Sequence, residues 1–166
     1  MKRLLELAEL IKNTELRNKT IELLRDPTPS YHGWKVEGIE LERAPASANL
    51  HHSYCGGLLE HTLSVARIGI AICDVLKEVH NVEVDKDTVI ASCLIHDIMK
   101  PMVYEENEGT ANTSKLNHLL LATLELYKRD FPAGVVHAVA AHHGKGSPVK
   151  PGTLEALAVH LADSLD

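Results

Sequence analysis

Apolar residues recur along this chain at the three- and four-residue spacing of helices that bury one side. Leu4, Leu7, Ala8 and Ile11, then Leu16, Ile21, Leu23 and Leu24, predict an amphipathic helix over residues 2–25, broken near Asn13-Thr14 into two. Asp26-Pro27-Thr28-Pro29 ends it, since proline cannot continue the hydrogen-bond ladder. No period holds from Tyr31 to Asn49, where Gly33, Gly38 and Pro45 predict a structured loop with a short hairpin around Val36 to Leu41.

Residues Gly57 to His80 predict a long helix whose wide apolar face carries Leu58, Leu59, Thr62, Val65, Ala66, Ile68 or Gly69, Ile72 and Cys73. Asp85 or Asp87 is a suitable N-cap for the next helix, Thr88 to Met99, which is apolar almost all round and therefore central. Pro101 stops it. The acidic, glycine-containing stretch Val103–Thr113 reads as a loop. Lys115 to Arg129 is then helical, with Leu116, Leu119, Leu120, Thr123, Leu124 and Tyr127 inward. Gly134 to His143 forms a short helix ended by Gly144, and Thr153 caps a last helix running to Leu165. The expectation is an all-α fold, a compact helical bundle in one structural domain. Residues 1–44 form a helical segment and irregular linker packed on residues 45–166.

At 166 residues the chain is long enough for a real core, and 45% hydrophobic with 24% charged residues is ordinary globular composition. The formal charge of −6, without a long Lys/Arg run, weakens attraction to a polynucleotide. Cys55, Cys73 and Cys93 form no CxxC pair and read as reduced thiols, the last two in apolar helical runs. Glu6 and Glu9 interrupt any signal-peptide core after Met1-Lys2-Arg3, and no segment approaches a membrane span, so a cytoplasmic location is expected.

Chemistry concentrates in Leu94-Ile95-His96-Asp97-Ile98-Met99-Lys100. An aspartate in so apolar a run needs a partner, and a divalent metal suits imidazole and carboxylate together. His61, His118, His142, His143 and Asp163 supply further donors from separate helices, as metal sites in helical bundles require. His160 shares a face with Asp163, and Lys100 reaches toward the same mouth. His32, His80 and His137 read as ordinary structural histidines.

The order His61 … His96-Asp97 … Asp163, with "HDIMKP" in place of the usual HDIGK, resembles the HD superfamily of metal-dependent phosphohydrolases. The strings "HHSYCGGLLEHTLSVA", "LIHDIMK", "AHHGKGSPVKP" and "TLEALAVHLADSLD" are similar to the HD half of a bacterial 3′-to-5′ exoribonuclease family over approximately residues 45–166. A free-standing domain of this size also resembles the archaeal iron-dependent cyclic phosphodiesterases of pterin biosynthesis. Residues 1–44 are too short and too helical for the RNA-binding OB-fold of the exoribonucleases, and Met99 stands where the family commonly has glycine.

The resemblance implies an HD-type bundle with the site among five helices. It also implies a first metal on His61, His96, Asp97 and Asp163, and a second on His118, His142 and His143, with Asp97 bridging. Asp97, His96 and Lys100 are the expected catalytic residues, and Lys100, Lys145, Lys150, His52 and Tyr54 the expected substrate contacts. The mixed His/Asp set suits one or two of Fe, Mn, Ni, Co or Zn. Such cations activate a water as hydroxide for in-line attack on phosphorus. The leading expectation is a phosphohydrolase or phosphodiesterase acting on a small nucleotide-like or cyclic phosphate ester, with homo-oligomerisation left open. RNA 3′-end exonuclease activity is the alternative, followed by di-iron oxygenation and a metal-stabilised non-catalytic binding domain.

Overall fold

The computed structural model describes residues 1–29, 38–103 and 117–166, and these contain seven α-helices and no strand. They are α1 (Lys2–Ala8), α2 (Thr14–Arg25), α3 (Gly57–His80), α4 (Lys86–Ile95), α5 (His118–Lys128), α6 (Ala133–Ala141) and α7 (Leu154–Leu165), with short 3₁₀ turns at Lys100–Met102 and Gly144–Gly146. The break between α1 and α2 falls where the sequence places it. Asn13 accepts the Leu16 N–H as N-cap of α2, and Asp87 accepts the backbone N–H groups of Lys12 and Asn13. Asp85 is the cap of α4, so the two candidate aspartates divide the work between two helices.

The apolar helix α4 is the axle of the bundle. It packs on α2, α3, α6 and α7, and every residue from Thr88 to Met99 is buried. Around it, α3 packs on α7, α7 on α6, and α6 on α5. Gly69, rather than Ile68, marks the closest approach of α3 to α4: a Cβ there would stand 2.8 Å from Cys93 Sγ and 3.1 Å from Val89 Cγ1. Leu4, Leu7, Ala8, Ile11, Leu16, Leu23 and Leu24 of the first two helices join the same core. Each large side chain so buried contributes roughly 1.5–3 kcal/mol, enough to hold α1 and α2 against α3 and α4.

Three expectations are corrected. The helix expected to run to Met99 ends at Ile95, with His96 as its C-cap. Pro101 lacks an amide hydrogen and disfavours helical geometry before it. The chain accordingly tightens through i→i+3 bonds, Ile98 N–H to Ile95 O and Lys100 N–H to Asp97 O. Leu120, Leu124 and Tyr127 of α5 point outward, Tyr127 being 79% exposed. The helix carries apolar residues on two faces and buries the one with Leu119, Leu121, Ala122 and Leu126. Glu125 is buried with them and paired to Arg129 at 2.6 Å. Of the predicted hairpin, Gly38 to Glu40 is irregular and Leu41 begins a turn, because Ile39 N–H is spent on Pro101 O. Val36, His32, most of the Val103–Thr113 loop, and Lys115 and Leu116 lie outside the described residues.

Candidate metal centre

His61 comes from the first turns of α3, His96 from the C-cap of α4, Asp97 from the tightened turn after it, and Asp163 from α7. His61, His96 and Asp97 are almost wholly buried, at 2%, 0% and 2% exposure. Their donor atoms form a tight set. His61 Nε2 is 3.2 Å from His96 Nε2, 3.4 Å from Asp97 Oδ2 and 3.2 Å from Asp163 Oδ1. His96 Nε2 is 3.2 Å from Asp97 Oδ2 and 3.5 Å from Asp163 Oδ1. Ligands bound at roughly 2.1 Å stand about 3.0 Å apart in an octahedron and about 3.4 Å apart in a tetrahedron, so these spacings suit a shared first-row cation.

A second set faces the other oxygen of the same carboxylate. Asp97 Oδ1 is 3.4 Å from His118 Nε2 and 3.6 Å from His142 Nε2. His143 joins them, its ring 4.0 Å from that of His142 and 5.2 Å from that of His118. Neither oxygen of Asp97 makes a directional hydrogen bond, and His118 Nε2 and His142 Nε2 are equally orphaned. Four buried polar atoms without hydrogen bonds are costly, and one cation in each donor set would satisfy them. Lys100 Nζ meets Asp97 Oδ2 as a charge contact at 2.5 Å.

The protonation states agree with that reading. Burial works against charge on His96, but Asp97 and Asp163 outweigh it and lift its pKa to about 10. Burial likewise opposes the charged form of Asp97, yet His96 and Lys100 hold its carboxyl well below the usual range. Burial pushes His118 down to about 3 and His143 down to about 4, leaving neutral imidazoles with lone pairs to donate. Thus the carboxylates call for positive charge, and a cation binding there displaces the proton on His96.

All seven expected metal donors lie in these two sets. Tyr54 Oη donates to Glu60 Oε2 and lies 3.0 Å from His52 Nδ1, on the His61 side of the cluster. Lys145 and Lys150 are exposed on the loop joining α6 to α7, outside the buried cluster. His160 Nδ1 donates to His142 O at 2.6 Å, and His137 Nε2 accepts the Gly152 N–H, so both are structural. Asp166, 2.7 Å from His61 Nδ1, escapes the sequence reading, and the ring of His51 lies 5.7 Å from that of His61. The three-residue step from Asp163 is the signal that marks Asp166.

A family model described as HD domain matches residues 58–166, the span carrying every one of these donors. The chain belongs to the HD domain family. Among HD relatives, a dihydroneopterin 2′,3′-cyclic phosphate phosphodiesterase of Methanocaldococcus jannaschii is 51% identical over 170 residues, covering 100% of this chain and 68% of the relative. The 3′-5′ exoribonuclease YhaM of Bacillus velezensis is 28% identical, over 98% of this chain and 56% of its own length. That of Bacillus subtilis is 30% identical, over 80% of this chain and 45% of its own. The chain therefore spans about half the length of these exoribonucleases. The HD domain of phosphodiesterase PgpH from L. monocytogenes overlays 75% of this chain and 68% of its own at TM-score 0.47 and 18% identity.

Proposed function

We propose that the protein is a metal-dependent phosphodiesterase that opens a cyclic phosphate ester on a small nucleotide-like substrate. The observation that carries this is Asp97, buried and without directional hydrogen bonds, turning one oxygen to each of two donor sets. The 51% identity to a cyclic phosphate phosphodiesterase along the whole chain supports the substrate class over RNA, which enters only through relatives near 30% identity. The acidic balance supports it too. In this reading an HD-family phosphoric ester hydrolase keeps its chemistry in residues 45–166, with helices α1 and α2 packed on α3 and α4.

His61, His96, Asp97 and Asp163 would hold one cation, and His118, His142 and His143 would hold a second, with Asp97 common to both sets. Fe, Mn, Ni, Co or Zn fits these mixed nitrogen and oxygen donors. Such cations supply Lewis acidity, which lowers the pKa of a water and draws charge from phosphoryl oxygens. The chain's own residues do the rest. Burial of His96, Asp97 and His142 keeps bulk water from the donors, and neutral His118 and His143 need lose no proton to bind. Lys100, held beside Asp97, presents its ammonium to a phosphate oxygen, with Lys145 and Lys150 on the outer loop for a second charge. His52 and Tyr54 flank the substrate on the His61 side. Water adds to phosphorus, one ring P–O bond breaks, and the departing oxygen takes a proton to leave a phosphomonoester. Among the described residues no helix is long and apolar enough to cross a membrane.

The test combines elemental analysis of anaerobically purified protein with a panel of 2′,3′-cyclic nucleotides, acyclic diesters and oligoribonucleotides, each assayed with each metal. Cyclic esters should be opened, and Asp97→Asn should lower turnover at least about 100-fold while reducing bound metal. Metal-loaded protein that left the whole panel intact would make it a binding domain. Preference for the oligoribonucleotide would make it a nuclease.

A further inference from the structure

The three most buried imidazole donors differ in what holds their second nitrogen. His96 Nδ1 donates to Cys93 O at 2.9 Å, and His142 Nδ1 donates to Val139 O at 2.7 Å. Both histidines are helix C-caps, where last-turn carbonyls lack their full complement of amide partners. His143 N–H, which would otherwise serve Val139 O, is bonded to Ser147 Oγ. His61 has no such recourse. It sits inside the 24-residue ladder of α3, whose carbonyls are committed to helix amides, with Leu58 O also accepting from Thr62 Oγ1.

Its Nδ1 finds a side chain instead, Asp166 Oδ2 at 2.7 Å. The same oxygen lies 3.1 Å from His52 Nε2. His52 Nδ1 lies 3.0 Å from Tyr54 Oη, which donates to Glu60 Oε2. Ser64 also favours the charged form of the Asp166 carboxylate. The hydrogen-bonded chain thus leaves α3 at Glu60 and returns to it at the next residue, His61. His52 is fixed at its turn with φ 53°, and its carbonyl accepts the Ala46 N–H.

We propose that Asp166 is a positioning carboxylate: it fixes the tautomer and ring orientation of His61, and His52, Tyr54 and Glu60 hold it from outside. The proposal rests on the reading of the His61 set as a cation site. With Nδ1–H donated to Asp166, the lone pair on Nε2 points into the donor set, where His96, Asp97 and Asp163 stand within 3.4 Å. A carboxylate behind a ligating imidazole also raises its basicity. A rival arrangement exists, because donor atoms of His51, His61 and Asp166 lie close enough together to hold a cation of their own. It would require His61 to give up its Nδ1 proton and bridge two cations, against a 2.7 Å contact suited to N–H donation.

Zinc titration against a chromophoric chelator, with bound metal counted, tests this on wild type, Asp166→Ala, Asp166→Asn and His51→Ala. Asp166→Ala is expected to bind the His61-set cation about 10- to 100-fold more weakly, with His51→Ala unchanged. Asp166→Asn keeps the shape and an acceptor oxygen but not the charge, and decides the matter should the alanine variant not fold: a loss of about tenfold is expected. In zinc-loaded protein with 15N-labelled histidine, a protected His61 Nδ1–H resonance should be present in wild type and missing in Asp166→Ala. Unchanged affinity and an unchanged resonance in a folded variant overturn the positioning role while leaving the cation site standing. Loss of one bound ion in both Asp166→Ala and His51→Ala overturns it in favour of a third cation. Wild-type protein that binds no zinc overturns the underlying reading as well.

Discussion

At the scale of single residues, Lys100 carries the clearest division of labour. Its ammonium touches Asp97, but it is not a donor to a cation, so it should act on substrate rather than on metal. Lys100→Gln is expected to lower kcat/KM by about 100-fold with metal content unchanged by elemental analysis. Loss of metal together with activity would instead make the lysine a structural counter-charge of Asp97. The His96-Asp97 pair was legible in the sequence because an aspartate inside an apolar run has few physical excuses. Asp166 was not, since a carboxylate in the final turn of an amphipathic helix looks like any solvated one. Only the position of His61, in the first turns of α3 and far away in sequence, gives Asp166 its partner.

At the scale of elements, the junction before α3 is the most constrained. A Cβ on Gly57 would lie 2.1 Å from His52 O and 2.8 Å from its carbonyl carbon, backbone atoms that cannot swing aside. Gly57→Ala is therefore expected to destabilise the fold by about 1–3 kcal/mol in chemical denaturation. Gly134, exposed in the first turn of α6 with its nearest neighbour at 3.6 Å, should behave oppositely. Gly134→Ala is expected to stabilise by about 0.5–1 kcal/mol through the unfolded chain's entropy. Similar effects of the two substitutions would show that the loop of His52 is free to move. Helix periodicity located α3 to the residue and found the α1–α2 break. It misjudged α5, because two apolar faces on one helix share the same period, and packing with α6 chooses between them.

For the whole molecule, cation binding and folding are one equilibrium, since the donors come from α3, α4 and its following turn, α5, the end of α6, and α7. A cation at about 100 times its Kd adds roughly 2.7 kcal/mol to stability. For a chain of this size that raises Tm by about 5–10 °C. Differential scanning calorimetry with and without chelator measures it, and coincident transitions would mean that the cluster holds no cation in solution. The arrangement also dictates when the site exists. His61 meets Asp166, the C-cap of α7, across 105 positions of sequence, and Asp163 lies almost as far along. A ribosome has therefore synthesised all of α1 to α6 before the first donor set is whole. A cation captured earlier can hold only fragments of the cluster, so loading of the whole set follows the docking of α7.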